Sequence, residues 1–251
     1  MPPSNRLRAQ ARAEKSYKGL ADPGLPLDAI TTAAFGHALD GHAHKLLEAI
    51  EAGADLGARG ISGRTLLICA AISGNRECVE TILDSGMPLI RARQIYGQGP
   101  SALHVAAEDG NFELCALLVE RGAPRLSINA VGKTPLHSAA SRGGRDMNGN
   151  YAACARLLAT ERAAWIEDNN HRTALLCALE GSAPWSVVEP IATVTDLSPF
   201  LDPNQARDNA FAKLCRSGAE EPLRAMARRK SEASEISASA QVAPSRPKSR
   251  I

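Results

Sequence analysis

Thr134-Pro135-Leu136-His137-Ser138-Ala139-Ala140 decides how this chain is read, because near-copies of it stand twice upstream, at Ser101-Ala102-Leu103-His104-Val105-Ala106-Ala107 and at Thr65-Leu66-Leu67-Ile68-Cys69-Ala70-Ala71. Ser101 lies 33 residues before Thr134, and Thr65 lies 36 before Ser101. Each part has a physical reason. A Thr or Ser hydroxyl accepts one of the N–H groups left unpaired at a helix start, and Pro135 stands at the first helical position, where its missing N–H costs nothing. Paired alanines let this helix lie close against another. Downstream of Ser101 come Gly110, then Leu114-Cys115-Ala116-Leu117-Leu118-Val119, then Gly122-Ala123; downstream of Thr65 come Gly74, Cys78-Val79-Glu80-Thr81-Ile82-Leu83 and Gly86-Met87. These second runs have apolar residues at helical spacing, and the closing glycines supply a left-handed stop. A unit this small cannot bury its apolar face alone, so neighbouring units must stack.

The T-P-L-H-x-A phrase at a period of about 33 residues resembles the ankyrin-repeat family. The resemblance implies an all-α fold: an ankyrin-repeat solenoid of paired antiparallel helices with short β-hairpin loops, about five to six repeats long. Thr32, 33 residues before Thr65, opens a worn first unit in which Phe35-Gly36 replace the Leu-His pair. The fourth unit is lengthened by Gly144-Arg145-Asp146-Met147-Asn148-Gly149 before Cys154-Ala155-Arg156-Leu157-Leu158 restores its second helix. A fifth begins at Thr173, with Pro190 expected to kink or shorten its second helix. A weak sixth is placed at Asn209-Ala210-Phe211-Ala212-Lys213-Leu214-Cys215. The expected organisation is therefore a basic segment at 1–26, the repeats at 27–228 and a disordered tail at 229–251.

Composition agrees. Hydrophobic residues make up 44% of 251 but aromatics only 4%, which implies small aliphatic packing. No run of about 18 apolar residues exists to cross a membrane, and the amino terminus lacks a secretory apolar stretch. Cys69, Cys78, Cys115, Cys154, Cys177 and Cys215 all fall in expected helices and read as free buried thiols of a reducing compartment rather than as disulfides or a metal site. A net charge of +2 does not argue for nucleic acid. The Arg-rich front has the flavour of a mitochondrial presequence, yet Glu14 interrupts it and serine is scarce.

Several groups look chemical and read more simply. His42 and His44 form an H-x-H pair without a third ligand at metal-site spacing. His104 and His137 recur with the repeat, where the resemblance implies hydrogen bonds between neighbouring hairpins. Asp146 to Asn150 lacks the glycine position and the final glutamate of a calcium loop. No nucleophile elbow, Walker loop or H-E-x-x-H is present. The expectation is a non-enzyme without cofactor or metal.

The resemblance places the binding surface on the concave side, built from hairpin tips and the ends of the first helices. By register these are Arg59, Ile61, Arg64, Arg93, Tyr96, Val131, Lys133, His171 and Arg172 on the tips, and Glu108, Asp109 and Arg142 on the helices. The expected function is a non-catalytic protein–protein interaction module, a scaffold, adaptor or inhibitor, acting as a cytoplasmic monomer on an unidentified protein partner and on neither nucleic acid nor membrane. The alternative is a targeting or regulatory subunit of an enzyme complex whose tail carries a signal. Two features of the tail support that alternative: Arg228-Arg229-Lys230-Ser231 has the form of a basophilic kinase site, and Ser249-Arg250-Ile251 is similar to a peroxisomal address or a PDZ ligand.

Overall fold

The repeated phrase does start helices, and its hydroxyls do the capping. The computed structural model describes residues 28–60, 63–86, 99–145, 148–197 and 220–241. In order these hold α1 (Ala29–Asp40), α2 (Ala43–Glu51), α3 (Leu66–Ser73), α4 (Arg76–Asp84), α5 (Ala102–Glu108), α6 (Phe112–Glu120), α7 (Pro135–Arg142), a 3-10 turn (Gly143–Arg145), α8 (Asn150–Leu158), α9 (Glu161–Trp165), α10 (Ala174–Glu180), α11 (Trp185–Val194) and α12 (Glu220–Gln241). Thr65, Ser101, Thr134 and Thr173 precede α3, α5, α7 and α10 in extended backbone, and each accepts the N–H three residues on. Asn75 and Asn111 cap α4 and α6 in the same way. Gly86 and Gly122 follow with φ of 83° and 89°, the left-handed stop.

The chain divides into two units, one ending at Val194 and one beginning at Thr195. In the first, α1, α3, α5, α7 and α10 stack as one row of helices; the second row sets α2 on α4, α6 on α8 and α8 on α11. Five two-helix repeats are thus described. Phe35, Leu46, Leu66, Leu67, Ile68, Ile82, Leu103, Leu114, Leu118, Leu136, Leu158 and Leu175 are fully buried between the rows, alongside the paired alanines. Each such side chain contributes roughly 1.5–3 kcal/mol by leaving water, which outweighs the weak intrinsic stability of helices only seven to twelve residues long.

Several details depart from the sequence reading. The first helix starts one turn before Thr32: Asp28 caps it through its carboxylate on the Thr31 N–H, and Thr31 is buried with its hydroxyl accepting the Asp55 N–H at 2.9 Å. Pro190 does not shorten α11, which runs to Val194. Of the expected hairpins, only the Arg59–Thr65 bridge is paired among the described residues; those at 129–133 and 168–172 are tight turns. In the second unit α12 runs through the boundary placed at 229. Glu220 and Glu221 in its first turn suit the helix dipole, and the Leu, Arg, Ala, Met and Lys that follow are strong helix formers, so a segment poor in large apolar groups is still helical. Leu223 is fully buried, and the Lys230 ammonium donates to the Thr195 carbonyl at 2.9 Å. The weak sixth repeat, Cys215 and the terminal Ser249-Arg250-Ile251 lie outside the described residues. No described helix is long and apolar enough to cross a membrane.

Candidate functional site

Among the described residues, the edge that carries the candidate residues shows three similar turns. Gly60 N–H donates to Arg64 O, Asn129 N–H to Lys133 O and Asp168 N–H to Arg172 O, at 2.9, 3.0 and 2.9 Å. Each turn is closed again inside, by Gly63 N–H on Gly60 O, Gly132 N–H on Asn129 O and His171 N–H on Asp168 O. A side-chain oxygen stiffens the last two: Asn129 accepts from the N–H groups of Val131 and Lys133, and Asp168 from those of Asn170 and Arg172. Adjacent turns are then joined, since Asn169 donates its backbone N–H to Val131 O at 3.0 Å and its amide to Ala130 O at 3.1 Å.

One position in this set is strained. The closing residue has a positive φ in all three turns, 68° at Gly63, 75° at Gly132 and 57° at His171, and in the third it is not glycine. A left-handed conformation costs a residue with a Cβ about 1–2 kcal/mol, although histidine tolerates it better than most. The His171 side chain is 85% exposed and touches Glu167 at 3.2 Å. Val131, across the joined turns, is 49% exposed, as is Ile128.

Arg172 is committed elsewhere. Its guanidinium makes two hydrogen bonds to one oxygen of Asp168, at 2.7 and 3.0 Å, and a third to Glu180 at 3.1 Å. The Asp168 side chain is wholly buried. Burial pushes its carboxyl up, but the Arg172 guanidinium, with the N–H groups of Arg172 and Asn170, outweighs that and holds it below the usual carboxylate value. Arg172 thus fixes its own turn instead of standing clear as a tip. Arg142 pairs with Glu108 across repeats, and Lys133 is half-buried with its ammonium on the Ser141 hydroxyl at 3.2 Å. Asp109 closes the end of α5, and Arg59 and Arg64 are half-buried in the first turn. Ile61, Arg93 and Tyr96 lie outside the described residues.

The histidines of the phrase form the link between repeats. In His104 the Nδ1 accepts the Ser101 backbone N–H at 3.2 Å while Nε2 meets Lys133 O at 2.8 Å; in His137 the partners are Thr134 N–H at 3.3 Å and Arg172 O at 3.0 Å. A backbone N–H only donates and a carbonyl only accepts, so both rings are neutral with the proton on Nε2. Burial holds the His137 imidazole below its ordinary value. Neither ring nitrogen of either residue is left for chemistry.

Two contributors escaped the sequence reading. Tyr151, two residues after the insertion, donates its hydroxyl to the Glu108 carbonyl at 3.0 Å, near the end of the first helix, where Asn75 and Asn111 send their amides to Gly41 O and Gly74 O in earlier repeats. After the insertion Gly149 stands at the cap without a side-chain bond, and the longer Tyr151 side chain makes the contact to the preceding repeat instead. Asp168 had a signal: it stands four residues before Arg172, as Asn129 stands before Lys133. The described cysteines are free and buried. Burial pushes Cys69 up to about 12 and Cys78 up to about 11, and Cys115 is raised by its contact with Cys154, 3.9 Å between sulfurs, and by burial. No three metal-ligating side chains converge among the described residues.

Comparison with known proteins places this geometry. A family model described as ankyrin repeats in three copies matches residues 89–148, and the single ankyrin repeat matches residues 62–93. The chain is 36% identical over 109 residues to diacylglycerol kinase iota of Rattus norvegicus, 32% over 127 residues to diacylglycerol kinase zeta of the same species and 33% over 75 residues to Inversin of Gallus gallus. These matches cover 43%, 51% and 30% of this chain. They span only 10%, 12% and 6% of the relatives' own lengths. Residues 62–148 of the chain are thus ankyrin repeats, and ankyrin repeats imply a protein-binding module.

Proposed function

We propose that the chain is a non-catalytic interaction protein, a scaffold, adaptor or inhibitor, which holds one protein partner along the edge formed by the turns at 129–133 and 168–172. The observation that carries this reading is His171, an exposed side chain kept in a strained conformation where the sister turns use glycine. Strain of this kind persists where the side chain is needed. Ile128 and Val131 supply exposed apolar area beside it, whereas Arg142 and Arg172 serve the fold. A catalytic role is not proposed: the buried histidines are spent on repeat-to-repeat hydrogen bonds, and the kinase relatives share a stretch that is about a tenth of their length.

The test uses a known tension between stability and function. His171→Gly should raise the unfolding free energy by up to about 1 kcal/mol through relief of the left-handed strain. The same change, combined with Val131→Glu, should abolish capture of the partner isolated with the intact chain. Partner retention by the double variant, or loss of the partner on deleting 231–251 alone, refutes the turn edge as the working surface.

A further inference from the structure

We propose that Ser231 is the acceptor of a phosphate delivered by a basophilic protein kinase, with Arg228 and Arg229 as the side chains the kinase reads. Among the described residues Ser231 is the one Ser or Thr that follows an arginine by three positions. Arg228, Arg229 and Ser231 are all exposed on α12, while Lys230 is half-buried and tied to the Thr195 carbonyl. The basic run is therefore sorted by the fold. Two guanidinium groups face water, where the acidic groove of such a kinase can engage them in charge-assisted hydrogen bonds. The lysine instead holds the helix to its own unit.

Kinases take their acceptor in extended form, so a short stretch of helix must open. The geometry makes this cheap. From Arg228 to Ala233 no side chain is buried, and the anchor of the described part of the helix, Leu223, lies more than one turn upstream. Opening there gives up helical hydrogen bonds to water, strains the one tie of Lys230 to the Thr195 carbonyl, and costs little packing. In the transfer, Ser231 Oγ attacks the γ-phosphorus of ATP, the new O–P bond forms as the bond to the ADP oxygen breaks, and the hydroxyl proton passes to the kinase's base. The product carries about −1.5 to −2 charge, one turn from Arg228 on the same helix face, where the two can pair.

The experiment treats the intact chain with Mg-ATP and the catalytic subunit of a cyclic-AMP-dependent kinase, and locates phosphate by peptide mass spectrometry. Phosphate is expected on Ser231, with Ser231→Ala removing it and Arg228→Ala lowering kcat/KM about tenfold, the worth of one charge-assisted contact. Ser62 and Ser249 also follow an arginine by three positions, so Ser62→Ala and Ser249→Ala are run beside them and should change nothing. Thermal melts of each variant confirm the fold. Phosphate confined to Ser62 or Ser249, no phosphate at all, or an Arg228→Ala variant as good as the parent overturns the proposal.

Discussion

His137 shows how much structure one side chain of the repeated phrase holds. Its ring closes the start of α7 through the Thr134 N–H and reaches the next repeat at Arg172 O. A proton added to Nδ1 would aim an N–H at another N–H. Because the folded imidazole binds its proton less readily than the unfolded one, acid favours unfolding. The stability from this residue is complete above pH about 6.5, the unfolded value, and is lost as pH falls toward the depressed folded one, with a slope of at most about 1.4 kcal/mol per pH unit. Asp168 adds a second loss lower down, since its folded carboxyl also lies below its ordinary range. His137→Gln should be less stable than the parent by about 1–3 kcal/mol at pH 7.5, from the broken buried bonds. Its stability should then fall less steeply between pH 6.5 and 5 in urea titrations. Equal slopes for the two proteins would mean that His137 is not the titrating group.

At the scale of elements, the worn fourth repeat shows how an insertion is absorbed. Gly144 lies so close to the next repeat that a Cβ there would sit 2.1 Å from the Gly181 carbonyl oxygen, and one at Gly143 would meet Val187 and Ala183. At the other end of the insertion the Tyr151 ring covers Gly110, whose absent side chain would lie 2.9 Å from it. Gly144→Ala should cost about 1–3 kcal/mol or more, since backbone must shift to admit the methyl group. Tyr151→Phe, which loses a single hydrogen bond, should cost about 0.5–1.5 kcal/mol. Chemical denaturation ranks the pair; a reversed order would place the insertion away from Gly181. This is also where the sequence stops being legible. The helices could be read because a capping hydroxyl, Pro135 and the alanine pairs act within one turn of chain. The role of Tyr151 could not, because the bond it makes joins residues 43 apart. Arg172 was misjudged for a related reason: its register marks a tip, but Asp168 and Glu180, brought in by the turn and by α10, bind it down. The Asp28 cap was overlooked because Thr32 fits the period better than the carboxylate that does the work.

For the whole row of repeats, the uneven distribution of the phrase predicts where it opens first. His104 and His137 link repeat three to four and four to five, but the same position in repeat two is Ile68, fully buried and unable to reach a neighbouring carbonyl. Among the described residues, the second and third repeats are joined instead by the amide of Asn111 on Gly74 O and by the Arg121–Asp84 pair, both exposed. Exposed pairs of this kind contribute about 0–1 kcal/mol, less than buried bonds whose loss strands a polar group. Stability in a stacked array is close to a sum over neighbours, so opening should cross the weakest junction before the others. The cysteines report on it without modification of the chain. Cys69 and Cys78 lie on the amino-terminal side of that junction, and Cys115, Cys154 and Cys177 on the other. In native buffer all five should resist alkylation, being buried, with Cys69 and Cys78 held as thiols by their raised pKa values of about 12 and about 11. At urea concentrations below the global midpoint, pulse alkylation read by peptide mass spectrometry should find Cys69 and Cys78 modified ahead of the other three. Ile68→His, which offers the missing ring nitrogen at the cost of an apolar contact, should narrow that interval if the histidine link governs the junction. Labelling of all five in one step in the parent would instead make the row a single cooperative unit, and the position of the histidines would then carry no weight in its opening.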